Sequence, residues 1–149
     1  MELISAGIDI GTTTTRVAIS RLTLRDTAGG FRLPQMRIAE KTLLYRGEAM
    51  FTPRTGEEVD GAALADMIAR EYARAGVRAE EIHTGAVIFT GEAARCRNAP
   101  EVAQALARLA GGFLIACAGA DMEAVLAAKG SGAAALSKNG CLLHTDIGG

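Results

Sequence analysis

The tripeptide Asp-Ile-Gly occurs twice, as Asp9-Ile10-Gly11 and as Asp146-Ile147-Gly148, 137 residues apart. Each copy follows a short apolar run, Leu3–Ile8 in one case and Cys141–Leu143 in the other. Each then enters small residues: Thr12–Thr15 after the first, Gly149 after the second. An apolar run that stops on Asp and Gly reads as a buried strand ending in a tight turn. One strand-turn device used twice predicts two similar half-domains facing each other, with most of the second lying beyond Gly149.

Between the two copies the periodicity changes once. A strand over Leu3–Ile10 is followed by one from the threonines to about Leu24. The turn signal Arg25-Asp26-Thr27-Ala28-Gly29-Gly30 then leads to a third strand over about Met36–Tyr45. Short links between these three predict an antiparallel meander. Thr55-Gly56-Glu57-Glu58 has the form of a capping box, and Asp60 is a second possible N-cap. Leu64, Met67, Ile68 and Tyr72 follow at helical spacing, and Gly76 closes that helix. A strand is expected over Ile82–Thr90. A helix capped by Asn98 should bury Val102, Ala105, Leu106 and Leu109. A strand over Phe113–Cys117 comes next, then a helix over Asp121–Ala128 with Met122, Val125 and Leu126 facing inward. A short helical turn over Ala133–Ser137 precedes a last strand over Cys141–Thr145. The expected order is β-β-β-α-β-α-β-α-β. Its later alternation implies parallel strands with right-handed crossovers, so the fold class is α/β with a mixed sheet.

Composition removes several function classes. The 149 residues hold 17 acids and 16 bases, a net charge of −1. Neither a nucleic acid nor an acidic membrane would find a dense positive surface there. Apolar residues make up 49% of the chain, which excludes a disordered one. Cys96, Cys117 and Cys141 are widely spaced with no CxxC. That pattern is neither a disulfide framework nor a zinc site, and it fits a reducing cytosol. Cys117 and Cys141 fall in apolar strands and are expected to be core thiols. His83 and His144 each stand alone and are expected to be strand residues. Met1-Glu2-Leu3-Ile4-Ser5 has no basic region of a secretory signal, and the apolar run Leu109–Ala120 is too short to span a bilayer.

The repeated turn has a definite chemistry. Asp9 would sit rigidly at a strand tip, and Gly11 would let backbone N–H groups approach an anion closely. Thr12 and Thr13 add hydroxyl donors. Such a turn can cradle a phosphate while Asp9 holds Mg²⁺ directly or through water. One copy alone reads equally as a plain hairpin turn. The second copy, also at a strand end, favours a clamp that closes on a triphosphate from two sides. Thr90-Gly91 ends another buried strand, so Thr90 is either a strand-end turn or a group facing the nucleotide. Lys129 precedes Gly130-Ser131-Gly132, but the spacing is wrong for a P-loop and a dipole-complementing helix end is the simpler reading.

Gly7-Ile8-Asp9-Ile10-Gly11-Thr12-Thr13-Thr14 resembles the first phosphate loop of the actin, Hsp70 and sugar-kinase superfamily of ATPases. Thr145-Asp146-Ile147-Gly148-Gly149 resembles the start of its second phosphate loop. The small-residue segment Gly130–Ser137 stands where that superfamily places its first connecting helix. The resemblance covers the whole chain. It implies that residues 1–149 are the N-terminal half of an actin-like (ribonuclease H-like) ATPase domain, cut within the second phosphate loop. It further implies ATP or ADP with Mg²⁺ as the bound species. Asp9 and Asp146 would position metal and water, and Gly11, Thr12, Thr13, Thr14, Gly148 and Gly149 would wrap the phosphates.

Two further stretches, Phe89-Thr90-Gly91-Glu92-Ala93-Ala94-Arg95 and Ala118-Gly119-Ala120-Asp121-Met122-Glu123 through Lys129-Gly130-Ser131-Gly132-Ala133-Ala134, are similar to the ethanolamine ammonia-lyase reactivating proteins. That resemblance implies a chaperone-like ATPase of the bacterial cytoplasm, beside a microcompartment. Its partner would be ethanolamine ammonia-lyase, from which it releases damaged cobalamin so that fresh adenosylcobalamin can bind. One departure bears on rate. Hsp70-like relatives carry a carboxylate near the attacking water on the first connecting helix, whereas Ala128-Lys129-Gly130-Ser131-Gly132 has no acid and Glu123 lies about two turns earlier. Slow hydrolysis is therefore expected, with Asp9 or Asp146 orienting water. A small-molecule kinase of the same superfamily and a nucleotide-independent scaffold with this fold remain the alternatives.

Overall fold

Ala6, Ile8 and Ile10, alternate residues at the end of the first strand, are apolar and buried, and that alternation sets the inner face of a sheet. The computed structural model describes residues 1–28, 33–91, 93, 97–107, 112–117, 120–137 and 140–145. Its elements are β1 (Glu2–Ile10), β2 (Thr14–Asp26), β3 (Met36–Arg46), β4 (Met50–Phe51), β5 (Arg54–Thr55), β6 (Glu58–Val59), α1 (Gly61–Arg74), a 3-10 turn (Ala79–Glu81), β7 (Thr84–Phe89), α2 (Ala99–Ala107), β8 (Gly112–Cys117), α3 (Ala120–Gly130) and α4 (Ala133–Leu136).

The main sheet has the order β3-β2-β1-β7-β8, and β4 pairs with the start of β2. β1, β2 and β3 form the expected antiparallel meander, with Ile8 opposite Val17 and Ala6 opposite Ile19. β7 runs parallel to β1, and β8 parallel to β7. Each parallel connection carries a helix, as a crossover requires. Ala6, Ile8, Ile10, Val17, Ile19, Val87 and Phe89 of the sheet pack with Leu64, Met67, Ile68 and Tyr72 of α1 and Val102, Ala103 and Leu106 of α2. The core therefore lies between one sheet face and these two helices.

Local chemistry accounts for the helix ends. The Asp60 carboxylate accepts from the Ala63 N–H at 3.0 Å and caps α1. At its other end Gly76, with φ +68, takes the left-handed position just past the helix.

Several expectations are corrected. Thr55-Gly56-Glu57-Glu58 is not a helix cap: it is the turn of the β5–β6 hairpin, and Gly56 has φ +64. The same short polar residues and glycine serve a tight turn as readily as a cap. Asn98 does take the position just before α2, its backbone carbonyl accepting from the Val102 N–H at 3.0 Å, but its side-chain amide is engaged by the Val59 backbone, accepting from its N–H at 3.3 Å and donating to its carbonyl at 2.7 Å. Ala103, not Ala105, completes the buried stripe of α2, and Leu109 lies outside the described residues. Met122, Val125 and Leu126 of α3 do not face inward: they are 54%, 46% and 37% exposed, because the described contacts of α3 are chiefly with α4 rather than with the sheet.

The final β of the expected order is also absent among the described residues. Residues 141–145 are irregular, since the sheet path ends at β8 and no described strand pairs with them. Cys117, on that last strand, and Cys141, in the irregular segment, are exposed rather than core thiols. His83 just precedes β7. Its Nδ1 accepts from the Ile4 N–H at 3.1 Å and its own N–H donates to the Ile4 carbonyl at 2.9 Å, which extends the β1–β7 pairing.

Tyr72 supplies a stability test. Its hydroxyl is buried and has no hydrogen-bond partner among the described residues. A buried hydroxyl left in that state costs about 1–3 kcal/mol. Burial also pushes the phenol up to about 12. Tyr72→Phe is expected to raise the stability by about 1 kcal/mol at neutral pH, read as a higher urea midpoint. The raised pKa favours the neutral phenol in the folded state. Its stabilisation is present below the ordinary tyrosine value and is lost as pH rises from about 10 to about 12. The gain from Tyr72→Phe should grow over that interval. A variant no more stable than the parent at either pH would show that the hydroxyl is satisfied.

Candidate functional site

β1, β7 and β8 run parallel, so their carboxyl ends share one edge of the sheet, the edge at which open α/β sheets take their ligands. Asp9 is the penultimate residue of β1. With Ile8 and Ile10 buried, the pleat turns Asp9 to the other face, where it is exposed. Arg16 of β2 stands opposite it on one side and Ile88 of β7 on the other. Thr90, one residue past β7, donates its N–H to the Ile10 carbonyl at 3.0 Å and its hydroxyl to Asp9 Oδ1 at 3.4 Å. Thr90 therefore stands at the end of β7 directly beside Asp9.

The turn after Asp9 is tight for a steric reason. The Gly11 N–H donates to the Thr14 carbonyl at 2.9 Å. A Cβ at Gly11 would lie 2.9 Å from that carbonyl oxygen and 3.5 Å from Thr90 Oγ1, so only glycine fits without a shift. Gly91, with φ +56, comes so close from the β7 side that a Cβ there would lie 2.6 Å from Thr12 Oγ1. Two glycines from separate loops thus bring Asp9, Thr12 and Thr90 together. Thr13 and Thr14 complete the turn and are exposed.

Two residues not singled out from the sequence hold this turn from behind. Thr52, buried, donates its hydroxyl to the Gly11 carbonyl at 2.9 Å and its N–H to the Thr13 carbonyl at 2.9 Å. Its hydroxyl also lies 3.0 Å from that of buried Thr15. Arg54 donates through Nη1 to the Thr12 carbonyl at 3.3 Å and through Nη2 to the Glu57 carbonyl at 2.7 Å. Nothing local in Thr52-Pro53-Arg54 signals these contacts, which span about forty residues of chain.

The other expected site residues, Asp146, Gly148 and Gly149, lie outside the described residues, as do Glu92, Ala94, Arg95, Ala118 and Gly119 of the two stretches that carry the closer resemblance. Glu123 is in the first turn of α3 and Lys129 in its last, the end at which a cation complements the helix dipole. Among the described residues there is no group of three or more His, Cys, Asp or Glu placed to hold a metal ion. Among them also, no helix is long and apolar enough to cross a membrane.

The family model described as "Ethanolamine utilisation protein EutA" matches residues 1–149. The chain is 38% identical over 151 residues to the ethanolamine ammonia-lyase reactivase EutA of Escherichia coli, covering 99% of this chain and 32% of that protein. It is 40% identical over 154 residues to the reactivase of the same name from Salmonella typhimurium, with the same two coverages. The chain thus spans about a third of the length of the curated relatives it matches. Among solved structures, the Aquifex aeolicus PPX-GPPA enzyme superposes with a TM-score of 0.54 at 14% identity, covering 88% of this chain and 42% of that one. That likeness bears on the fold alone, and the fold is the mixed-sheet, actin-like ATPase fold.

Proposed function

Because the chain belongs to the ethanolamine utilisation protein EutA family, we propose that it carries the first phosphate loop of an ATP-dependent reactivating factor that releases damaged cobalamin from ethanolamine ammonia-lyase. The observation that carries this reading is the Gly11–Thr14 turn at the carboxyl edge of the parallel strands, with Asp9 exposed beside it. The names of the two reactivases supply the partner enzyme.

In this reading Gly11, Thr12, Thr13 and Thr14 wrap the phosphates of ATP or ADP, and Asp146, Gly148 and Gly149 close on them from a second half-domain. Residues 1–149 are then the N-terminal half of the ATPase domain. The donor set fits Mg²⁺, which is ordinarily held by one or two carboxylates, waters and the nucleotide's own phosphates rather than by an all-protein cage. Asp9 would hold it, with Asp146 from the other half. The ion, when bound, neutralises charge on the phosphates. The chain's own contribution is to bind and orient: Thr90 fixes the Asp9 carboxylate, and the glycines keep the turn open to an anion. Hydrolysis is slow, suiting a nucleotide-gated opening and closing whose work is done on the partner's cobalamin site. The proposed location is the cytoplasm, beside a microcompartment.

The test uses the natural full-length protein and ethanolamine ammonia-lyase that holds a damaged cobalamin. Cobalamin is expected to leave the lyase with Mg-ATP and to stay without nucleotide. Release that ignores nucleotide would favour the scaffold. ATP consumed only when a sugar or carboxylic acid is added would favour the kinase.

A further inference from the structure

All three carbonyls of the Gly11-Thr12-Thr13 turn are taken by one short segment. Thr52 Oγ1 donates to that of Gly11, Arg54 Nη1 to that of Thr12 and the Thr52 N–H to that of Thr13. A trans peptide is planar and carries its carbonyl and the next residue's N–H on opposite sides. Pulling these carbonyls toward residues 52–54 therefore turns the N–H groups of Thr12, Thr13 and Thr14 away from that segment. A run of backbone N–H groups turned to one side is the form of turn that accepts an anion. A carbonyl turned the other way would place its negative end against the phosphate.

We propose that Thr52 and Arg54 form a strap that holds the 11–14 turn in its phosphate-accepting form. This rests on the reading of the turn as a phosphate loop. Both are positioning residues: they act through the loop carbonyls. Thr52 is suited to the task because it is buried and its hydroxyl is further fixed by Thr15 at 3.0 Å. Arg54 is suited because its planar guanidinium holds the Thr12 and Glu57 carbonyls at once, which ties the phosphate turn to the β5–β6 hairpin. The strap selects for the phosphate part of a nucleotide and is indifferent to the nucleoside.

Binding of Mg-ADP and of adenosine to the natural full-length protein, measured by calorimetry, tests this. Thr52→Val keeps the side-chain shape and the backbone contact but removes the donor to Gly11. It is expected to weaken Mg-ADP about fivefold and to leave adenosine within about twofold. Thr52→Ser restores the donor and should return Mg-ADP to within about twofold of the parent. Arg54→Ala should weaken Mg-ADP about tenfold, again sparing adenosine, because a charged donor is lost. Parallel loss of both ligands, or a Thr52→Val protein that binds Mg-ADP like the parent, would overturn the strap alone. A parent protein that binds no Mg-ADP would overturn the phosphate-loop reading and the strap with it.

Discussion

Asp9→Asn in the natural full-length protein is expected to lower Mg²⁺-dependent ATP turnover by about 100-fold or more. The substitution preserves shape and removes only charge. Asp9 is exposed, and its Oδ1 acceptor for the Thr90 hydroxyl survives as an amide oxygen. The strand is held by its ladders to β2 and β7, which the side chain does not enter. A neutral amide is a poor ligand for a hard cation that keeps most of its water and takes few protein groups. The defect should fall on turnover and on Mg²⁺ dependence together. Turnover equal to that of the parent at saturating Mg²⁺ would reject Asp9 as the metal-side carboxylate.

The fold was legible where burial and periodicity coincide. β1 and the start of β2 bury Ala6, Ile8, Ile10, Val17 and Ile19 because one face packs on helices, and α1 repeats Leu64, Met67, Ile68 and Tyr72 against that face. Legibility failed where the same residues suit two local structures. Thr55–Glu58 can cap a helix or turn a hairpin, and the choice of hairpin depends on pairing between Arg54 and Val59. It failed again where a pattern specifies an element but not its partner. Met122, Val125 and Leu126 sit on a helix as expected, yet periodicity says nothing of what covers them. Cys141–Thr145 has strand composition without a described ladder partner.

The candidate site divides in the same way. Asp9, Gly11 and the threonines are contiguous, so their chemistry shows as a motif. Thr90 and Gly91 reach Asp9 and Thr12 through parallel pairing across some eighty residues, and Thr52 and Arg54 through a strand of only two residues. Contacts of that kind leave no periodic trace.

One charged residue within the α1 stripe gives the largest expected stability effect. Glu71 lies between Ile68 and Tyr72 with its side chain 1% exposed. A buried carboxylate costs several kcal/mol unless it is paired and hydrogen-bonded. Glu71 has both kinds of partner. Tyr45 donates its hydroxyl to Oε2 at 2.7 Å, and Arg74 donates Nη1 to Oε1 at 2.6 Å. The carboxylate in turn holds the Tyr45 phenol above its usual range. Gly47 leaves the room: a Cβ there would overlap Glu71 Oε2 and stand 3.1 Å from the Val17 carbonyl. The ends of β3 and α1 thus meet on one carboxylate.

The two members of the ion pair are not equivalent, because the Arg74 side chain is 65% exposed. Arg74→Ala strands a buried charge on a single phenol, and should cost about 3 kcal/mol. Glu71→Gln removes the charge itself, keeps an acceptor for Tyr45 and frees Arg74 to water. It should cost only about 1–2 kcal/mol. In thermal unfolding the first would lower the midpoint by roughly 6–12 °C and the second by roughly a third to two-thirds of that. The reverse order would mean that Tyr45 and the surrounding backbone, not Arg74, keep the carboxylate inside.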